Sequence, residues 1–244
     1  MRLRSYYIIL FVIIIIAWQY FGSTNNLVKL LVSNPTDIIS YFKDNWQDLL
    51  QATGVTFMEA ILGLIIATSF SFIIMIICFY FPNFFDFIMP IMVTSQIIPL
   101  IVLAPFFILL FGIGYTSKIA MAALISFFPV FVNFATGVKS IPQAINEFSY
   151  INNTKTWTKI KNIYFPLSYV NIFTGLRVAA TLSVIGAIVA EFTGAKIGLG
   201  KNLFISSIRI EPELMMSSLF LSTIVGFFIF SLVIFFEKKL FYKL

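Results

Sequence analysis

Histidine is absent from the 244 residues, cysteine occurs once, and Lys, Arg, Asp and Glu together make up only 11% of the chain. Without histidine the commonest general base and metal ligand is missing, so hydrolytic mechanisms built on a His–nucleophile pair or a His-bound metal are unavailable within this chain. The one cysteine, Cys78, lies inside an apolar run and has no intrachain disulfide partner, which leaves the redox compartment open. No G-x-x-x-x-G-K-[ST] stretch occurs, and the G-x-G at Gly198 and Gly200 does not open a βαβ unit, so neither nucleotide-binding fingerprint is present. The scarcity of charge excludes most. Soluble domains carry about 25% charged residues, and a chain with so few cannot clothe itself in polar surface.

What is present is apolar: 60% of the residues, 30 of them Phe. They arrive in long blocks broken by short polar punctuation, and about 20 apolar residues are what an α-helix needs to cross the hydrocarbon core. A β-barrel would show alternating segments of about ten residues, not solid runs such as Ile8 to Ile16. The sequence therefore predicts an all-α polytopic membrane protein with about six transmembrane helices: Tyr6 to Phe21, Thr53 to Phe81, Phe87 to Phe111, Lys118 to Val138, Ser168 to Phe192 and Leu214 to Phe236. The first block follows Arg2 and Arg4 as a signal peptide would, but it runs through Trp18-Gln19-Tyr20 without a small-residue cleavage site and reads as an uncleaved span. Residues 1–50 form this span and an extracytoplasmic segment, with a turn at Ser33-Asn34-Pro35-Thr36-Asp37 and a short amphipathic helix after it. Residues 51–244 form the main membrane domain. The expected connectors are Pro82–Asp86, Gly112–Thr116, Lys139–Pro166 and Gly194–Glu213.

The formal charge of +6 does not indicate nucleic acid, because the sixteen Lys and Arg are scattered at the ends of apolar blocks. In a membrane protein they report orientation. With the N-terminus inside, the cytoplasmic face holds ten (Arg2, Arg4, Lys139, Lys155, Lys159, Lys161, Arg177, Lys238, Lys239, Lys243) and the opposite face six (Lys29, Lys43, Lys118, Lys196, Lys201, Arg209). Both termini and the 139–166 segment are thus expected in the cytoplasm of a multi-pass inner (plasma) membrane protein.

The 139–166 segment is long for a connector and patterned like two short helices. Ala144, Phe148 and Ile151 fall at i, i+4 and i+7, and Trp157, Ile160 and Tyr164 at i, i+3 and i+7. Asn152-Asn153-Thr154 divides them; Asn tolerates the left-handed conformation that ends one helix, and Thr154 can cap the next. From periodicity alone the segment is either a knob offered to a partner or an interfacial hairpin with Lys155, Lys159 and Lys161 on anionic lipid.

The residues also carry a resemblance. Glu147-Phe148-Ser149, Asn153, Trp157 and Ile163-Tyr164-Phe165-Pro166 resemble the EAA loop of binding-protein-dependent ABC importer permeases. The likeness runs from Pro35 to the C-terminus through Ile97-Ile98-Pro99-Leu100, Ala104-Pro105-Phe106, Phe111-Gly112-Ile113-Gly114, Thr174-Gly175-Leu176-Arg177, Val189-Ala190-Glu191 and Gly198-Leu199-Gly200. These are similar to permeases for sulfonates, nitrate, taurine and thiamine-precursor pyrimidines. Phe148-Ser149 stand where the family has two alanines, and Asn153 where it has glycine. The resemblance implies a type I importer permease fold and an ATPase-coupling loop at 139–166 using Glu147, Phe148, Ser149, Asn153, Trp157 and Pro166. It also implies partner ABC ATPase subunits, an extracytoplasmic solute-binding protein and a permease homodimer. The chain itself is then expected to bind no cofactor, with ATP and Mg on the partner ATPase, and to be a transport subunit, not an enzyme.

For the translocation path the residues leave alternatives open. Pro90, Pro99 and Pro105 within one expected span disfavour a straight helix, so Gln96 to Pro105 borders a cavity or merely shapes packing, and Pro129 and Asn133 fit either account. Glu59, Arg177 and Glu191 are ionisable groups near apolar runs: functional by default in a membrane, or snorkelling to the interface from near span ends. Arg177 is a candidate to neutralise an anionic solute. Ala179, Ser183, Gly186 and Ala190 recur on one face of the fifth span, which suits close packing across a dimer axis or within one subunit. Leu182-Ser183-Val184-Ile185-Gly186-Ala187 looks more like permeases for thiamine-precursor pyrimidines or riboflavin than like sulfonate ones. The competing functions are an ATP-independent secondary transporter or channel, for which no inverted repeat is visible, and a membrane enzyme or assembly factor, for which the chain without His offers little.

Overall fold

The computed structural model describes Tyr6, Leu10, residues 12–20 and residues 33–241. Among the described residues there is no strand. Residues 12–20 are helical, and nine helices follow: α1 (Pro35–Asp44), α2 (Trp46–Tyr80), α3 (Pro82–Ser95), α4 (Leu100–Phe111), α5 (Tyr115–Lys139), α6 (Gln143–Ile151), α7 (Thr156–Gly194), α8 (Leu199–Arg209) and α9 (Pro212–Phe241). Of these, α2, α5, α7 and α9 are long and apolar enough to cross a membrane. At about 1.5 Å per residue, the 39 residues of α7 span roughly 58 Å, about twice the hydrocarbon thickness, so this helix projects well beyond the bilayer.

The all-α polytopic expectation holds, and the boundaries differ instructively. Of the first expected span, Tyr6 to Phe21, residues 12–20 are helical, while residues 7–9, 11 and 21 lie outside the described residues. The expected span Phe87 to Phe111 is two helices, because Pro99 takes an extended conformation (ψ 118°) at the N-cap of α4 and cannot continue α3. Pro90 and Pro105 remain inside helices. The expected connector Pro82–Asp86 is instead the first turn of α3, where a proline at the helix start gives up no internal bond. The expected connector Gly194–Glu213 contains α8, an amphipathic helix short enough to have been taken for a loop.

The bundle is centred on α5, which packs between α2 and α7. Ala122 of α5 is fully buried and marks the closest approach. A Cβ on Gly63 of α2 would lie 2.5 Å from the Ala122 Cβ, and one on Gly186 of α7 would lie 2.8 Å from the Ala122 Cα, so only glycine admits this spacing on both sides. Interhelical hydrogen bonds reinforce it: Ser126 Oγ donates to the Ala179 carbonyl at 3.2 Å, and Ser71 Oγ to the Phe127 carbonyl at 3.2 Å. The stripe of Ala179, Ser183, Gly186 and Ala190 is buried inside this subunit against α5. Small residues at such contacts are how helices associate where the solvent is as apolar as they are. Outward, α9 and α4 present Phe227 (71% exposed) and Leu109 (84% exposed), faces that only lipid or another protein covers.

Gly186→Leu is expected to force α5 and α7 apart, costing about 1–3 kcal/mol or more. Thermal unfolding of detergent-purified protein checks it, with Gly54→Leu as control, since a Cβ at Gly54 meets nothing within 4 Å. Equal midpoints for the two variants would contradict the close-approach account.

Candidate functional site

The two ends of the bundle are built differently. At one end α5 leaves through Lys139 into the hairpin of α6 and the first turns of α7. Helix α6 closes with a hydrogen-bonded C-terminal motif: Thr154 N–H donates to the Ser149 carbonyl and Asn153 N–H to the Tyr150 carbonyl, each at 3.0 Å, with Asn153 at φ 50°. Asparagine reaches this left-handed conformation at lower cost than other side-chain-bearing residues, as its position in the sequence suggested. The following helix is not capped by Thr154; Lys155 occupies the N-cap position and no side chain caps it. Nor is it a separate short helix. It runs on into the membrane span through a π-turn at Ile160–Tyr164, which sits where Pro166 lacks an N–H and crowds the preceding turn.

The hairpin is braced from below. Tyr164 donates through its hydroxyl to Asn146 Oδ1 at 3.1 Å and stacks on Phe79 of α2 with ring centroids 4.7 Å apart. Ser149 and Ile160 are buried against the chain, and Ser149 Oγ donates to the Ile145 carbonyl at 2.8 Å. Phe148, Ile151 and Trp157 face the other way, 66%, 80% and 56% exposed, whereas Ile160 and Tyr164 of the second stripe and Ser149 turn inward. Glu147 is exposed and accepts from Gln143 Nε2 at 3.0 Å.

At the opposite end three buried ionisable side chains meet. Glu59 of α2, Lys118 of α5 and Glu191 of α7 are 2%, 1% and 1% exposed. Thr56 Oγ1 donates to Glu191 Oε1 at 2.7 Å, Gly200 N–H donates to Glu191 Oε2 at 2.6 Å, and Leu199 N–H donates to Thr56 Oγ1 at 2.9 Å. The Glu59 carboxyl lies against that of Glu191, with Lys118 nearby. Lys118 Nζ donates to the Ile113 carbonyl. Gly198, at φ 147°, and Gly200 leave no room for a Cβ beside the Glu191 carboxyl. The knot ties α2, α7 and the start of α8 together through one carboxylate.

The sequence candidates therefore fall into separate places. Glu147, Phe148, Ser149, Asn153, Trp157 and Pro166 come together at the hairpin end. Gln96 and Pro99 are exposed at the α3–α4 break, and Pro105 is exposed on α4. Asn133 donates to the Pro129 carbonyl at 2.8 Å and packs beside Gly175. Arg177 lies 3.8 Å from the Glu237 carboxylate of α9 and donates to Thr174 Oγ1 at 3.1 Å. Neither Glu59 nor Glu191 reaches outward as a snorkelling side chain would. Lys118, counted in sequence among loop cations, is inside the bundle. Sequence reasoning took these three groups one by one and missed their meeting, since they sit on three helices and no spacing along the chain links them. The nearest signal is Val189-Ala190-Glu191 followed by Gly198-Leu199-Gly200, an acid placed just ahead of two glycines.

The described residues thus form an all-α bundle with four helices long and apolar enough to cross a membrane, an uncovered hairpin at one end and a polar knot at the other. The chain belongs to the family of binding-protein-dependent transport system inner membrane components, which it matches over residues 61–243. It is similar to a "Probable ABC transporter permease protein" of Haemophilus influenzae, at 28% identity over 85% of this chain and 84% of the other. Over a shorter stretch it is 39% identical to the riboflavin transport system permease protein RibX of Chloroflexus aurantiacus, covering 46% of this chain and 41% of that one. It is 41% identical to the formylaminopyrimidine transport permease protein ThiX of Halalkalibacterium halodurans, covering 46% and 44%. The chain is thus a membrane permease subunit of an ABC importer, a transport component and not an enzyme.

Thr56→Val is expected to strand the Leu199 amide and remove one donor from Glu191, lowering stability by about 1–3 kcal/mol. Thr56→Ser, which keeps the hydroxyl, should recover most of it. Thermal unfolding of the three proteins in one detergent decides, and a Val variant as stable as wild type would refute the knot's structural role.

Proposed function

We propose that two copies of this permease work with two ATP-binding cassette subunits, which hold the ATP and Mg, and with an extracytoplasmic binding protein that delivers a small solute. In this reading the chain binds no cofactor, both termini and the hairpin lie in the cytoplasm, and the polar knot faces the side where solute arrives. The basic residues support that orientation: with Lys118 inside the bundle, the face opposite the hairpin keeps five of its six cations against ten. The solute belongs to the riboflavin and thiamine-precursor pyrimidine class or to the sulfonate, nitrate and taurine class.

The observation that carries the reading is the hairpin. An Asn153-terminated turn, held to α2 and α6 through Tyr164, offers Phe148, Ile151 and Trp157 to the outside while its polar Ser149 is turned inward. A membrane-lying hairpin has no need of such bracing. A joint that must transmit force does, and aromatic anchors supply much of the binding energy at joints between proteins. ATP-driven closure of the ATPase pair would carry the hairpin with it and swing α7 as a lever.

Phe148→Ala and Trp157→Ala are each expected to weaken association with the ATPase by about 2 kcal/mol, roughly 30-fold in Kd, with Glu147→Ala smaller. Co-purification and titration in nanodiscs measure it. Undiminished association in both aromatic variants, or solute uptake by liposomes lacking every ATPase subunit, would overturn the reading in favour of an ATP-independent transporter or channel.

A further inference from the structure

The hairpin leaves a hollow on its inner side. A cavity of about 390 Å³ opens between the ends of α2 and α5, the start of α3 and the first turns of α7; Lys139, Lys159, Thr156 and Asp86 supply its polar wall, and Met75 and Val138 part of its apolar one. The stacked rings of Phe79 and Tyr164 line it as well. Two of the long apolar helices, α2 and α5, end here, at Tyr80 and Lys139. The hollow therefore lies where hydrocarbon gives way to headgroups.

Its charges are unpaired. Lys139 Nζ stands 4.4 Å from the centroid of the Phe85 ring, a contact that holds the ammonium without using its N–H donors on an acceptor. Among the described residues neither Lys139, Lys159 nor Asp86 enters an ion pair. Two ammonium groups against one carboxylate leave the wall with a positive excess, and a phosphate set between two lysines accepts from both.

The hollow does not end at its polar wall. A second cavity, of about 470 Å³, shares Phe85, Asp86 and Lys139 with it and continues along Met89, Pro90 and Val93 of α3. That helix is open to the membrane, with Phe87 65% and Val93 52% exposed. A basic pocket that runs on into a membrane-facing apolar furrow suits a molecule with a phosphate at one end and a hydrocarbon chain at the other. The side of the hairpin read as partner-facing, with Phe148, Ile151 and Trp157, points away from it.

We propose that this hollow is a binding site for an anionic phospholipid of the leaflet on the hairpin's side. The phosphodiester sits between Lys139 and Lys159, a headgroup hydroxyl donates to Asp86, and an acyl chain follows Met89 and Val93. Such a lipid would link the end of α5 to the residue just before the π-turn, so the bracing of the hairpin would depend on the charge of the leaflet. The proposal does not depend on which side of the membrane the hairpin occupies, nor on the ATPase reading.

The full-length protein, in detergent supplemented with phosphatidylglycerol or phosphatidylcholine, is expected to carry a phosphatidylglycerol into native mass spectrometry, held roughly tenfold more tightly than phosphatidylcholine. Lys139→Gln combined with Lys159→Gln should abolish the preference. Lys155→Gln combined with Lys161→Gln, at exposed lysines of the same hairpin that do not line the hollow, should keep it. Millimolar inorganic phosphate or glycerol 3-phosphate should leave the lipid in place. Equal retention of the two lipids, a preference indifferent to the Lys139 and Lys159 substitutions, or displacement by either soluble phosphate overturns the site. Displacement by an ATPase subunit also overturns it, since the lysines would then belong to a protein partner. Should the Lys139 and Lys159 variant not fold, Thr156→Cys decides. In nanodiscs its reaction with a neutral maleimide, above the background from Cys78, is expected to be roughly threefold slower with phosphatidylglycerol than with phosphatidylcholine, while the outward-facing Ile151→Cys reacts alike in both. Equal rates at Thr156→Cys, or equal slowing at both positions, would refute a lipid seated in the hollow.

Discussion

Between helices surrounded by lipid the hydrophobic effect supplies little attraction, because the surrounding tails are as apolar as the side chains. The bundle must therefore hold through contact area and through polar groups that have nowhere else to go. The contact is supplied where Ala122 is gripped between Gly63 and Gly186, bringing three backbones together at distances no larger residue allows. From that point α2, α5 and α7 stay in register in both directions. One direction reaches the Phe72, Phe79 and Phe134 cluster beneath the hairpin, and the other reaches the Glu59–Lys118–Glu191 knot.

That knot is expensive in isolation and useful in context. Ionisable groups inside a membrane cost about 2.5–3.5 kcal/mol each on insertion scales, and here there are three. The cost is offset in part by two donors to Glu191 and by the proximity of an ammonium to two carboxyls. The Glu59 and Glu191 carboxyls are also hydrogen-bonded to each other. A polar crosslink of this kind fixes how α2, α5 and α7 sit against one another at the end opposite the hairpin.

Much of the architecture was legible in the sequence, and the failures have physical causes. Spans appear as apolar blocks because the bilayer fixes their length, and the Asn153 turn was readable because a left-handed position admits few residues. Three things were not readable. The span broken at Pro99 looked continuous, since hydropathy does not register a missing backbone donor and Pro90 and Pro105, equally visible, break nothing. Helix α8 was hidden in a polar connector. The burial of Glu59 and Lys118 was invisible because each looks, along its own helix, like a residue near a span end; only the packing of three helices reveals that their ends face one another.

The hairpin and the knot also share a helix. Phe165 to Gly194 runs without a break, and its one irregularity, the π-turn at Ile160–Tyr164, lies beside the hairpin and well away from Glu191. A π-turn is a place where a helix can yield, and Tyr164 at its end is held to both α6 and α2. Under the coupling proposed here, displacement of the hairpin would be taken up partly at this turn. The remainder would pass along α7 as rigid motion, since Gly186 and Ala122 leave no slack for bending at mid-length. The carboxyl at the far end would then shift relative to Glu59 and Lys118. A lever with a compliant joint at the driven end and a tightly gripped middle delivers its motion to the site instead of dissipating it in the bundle.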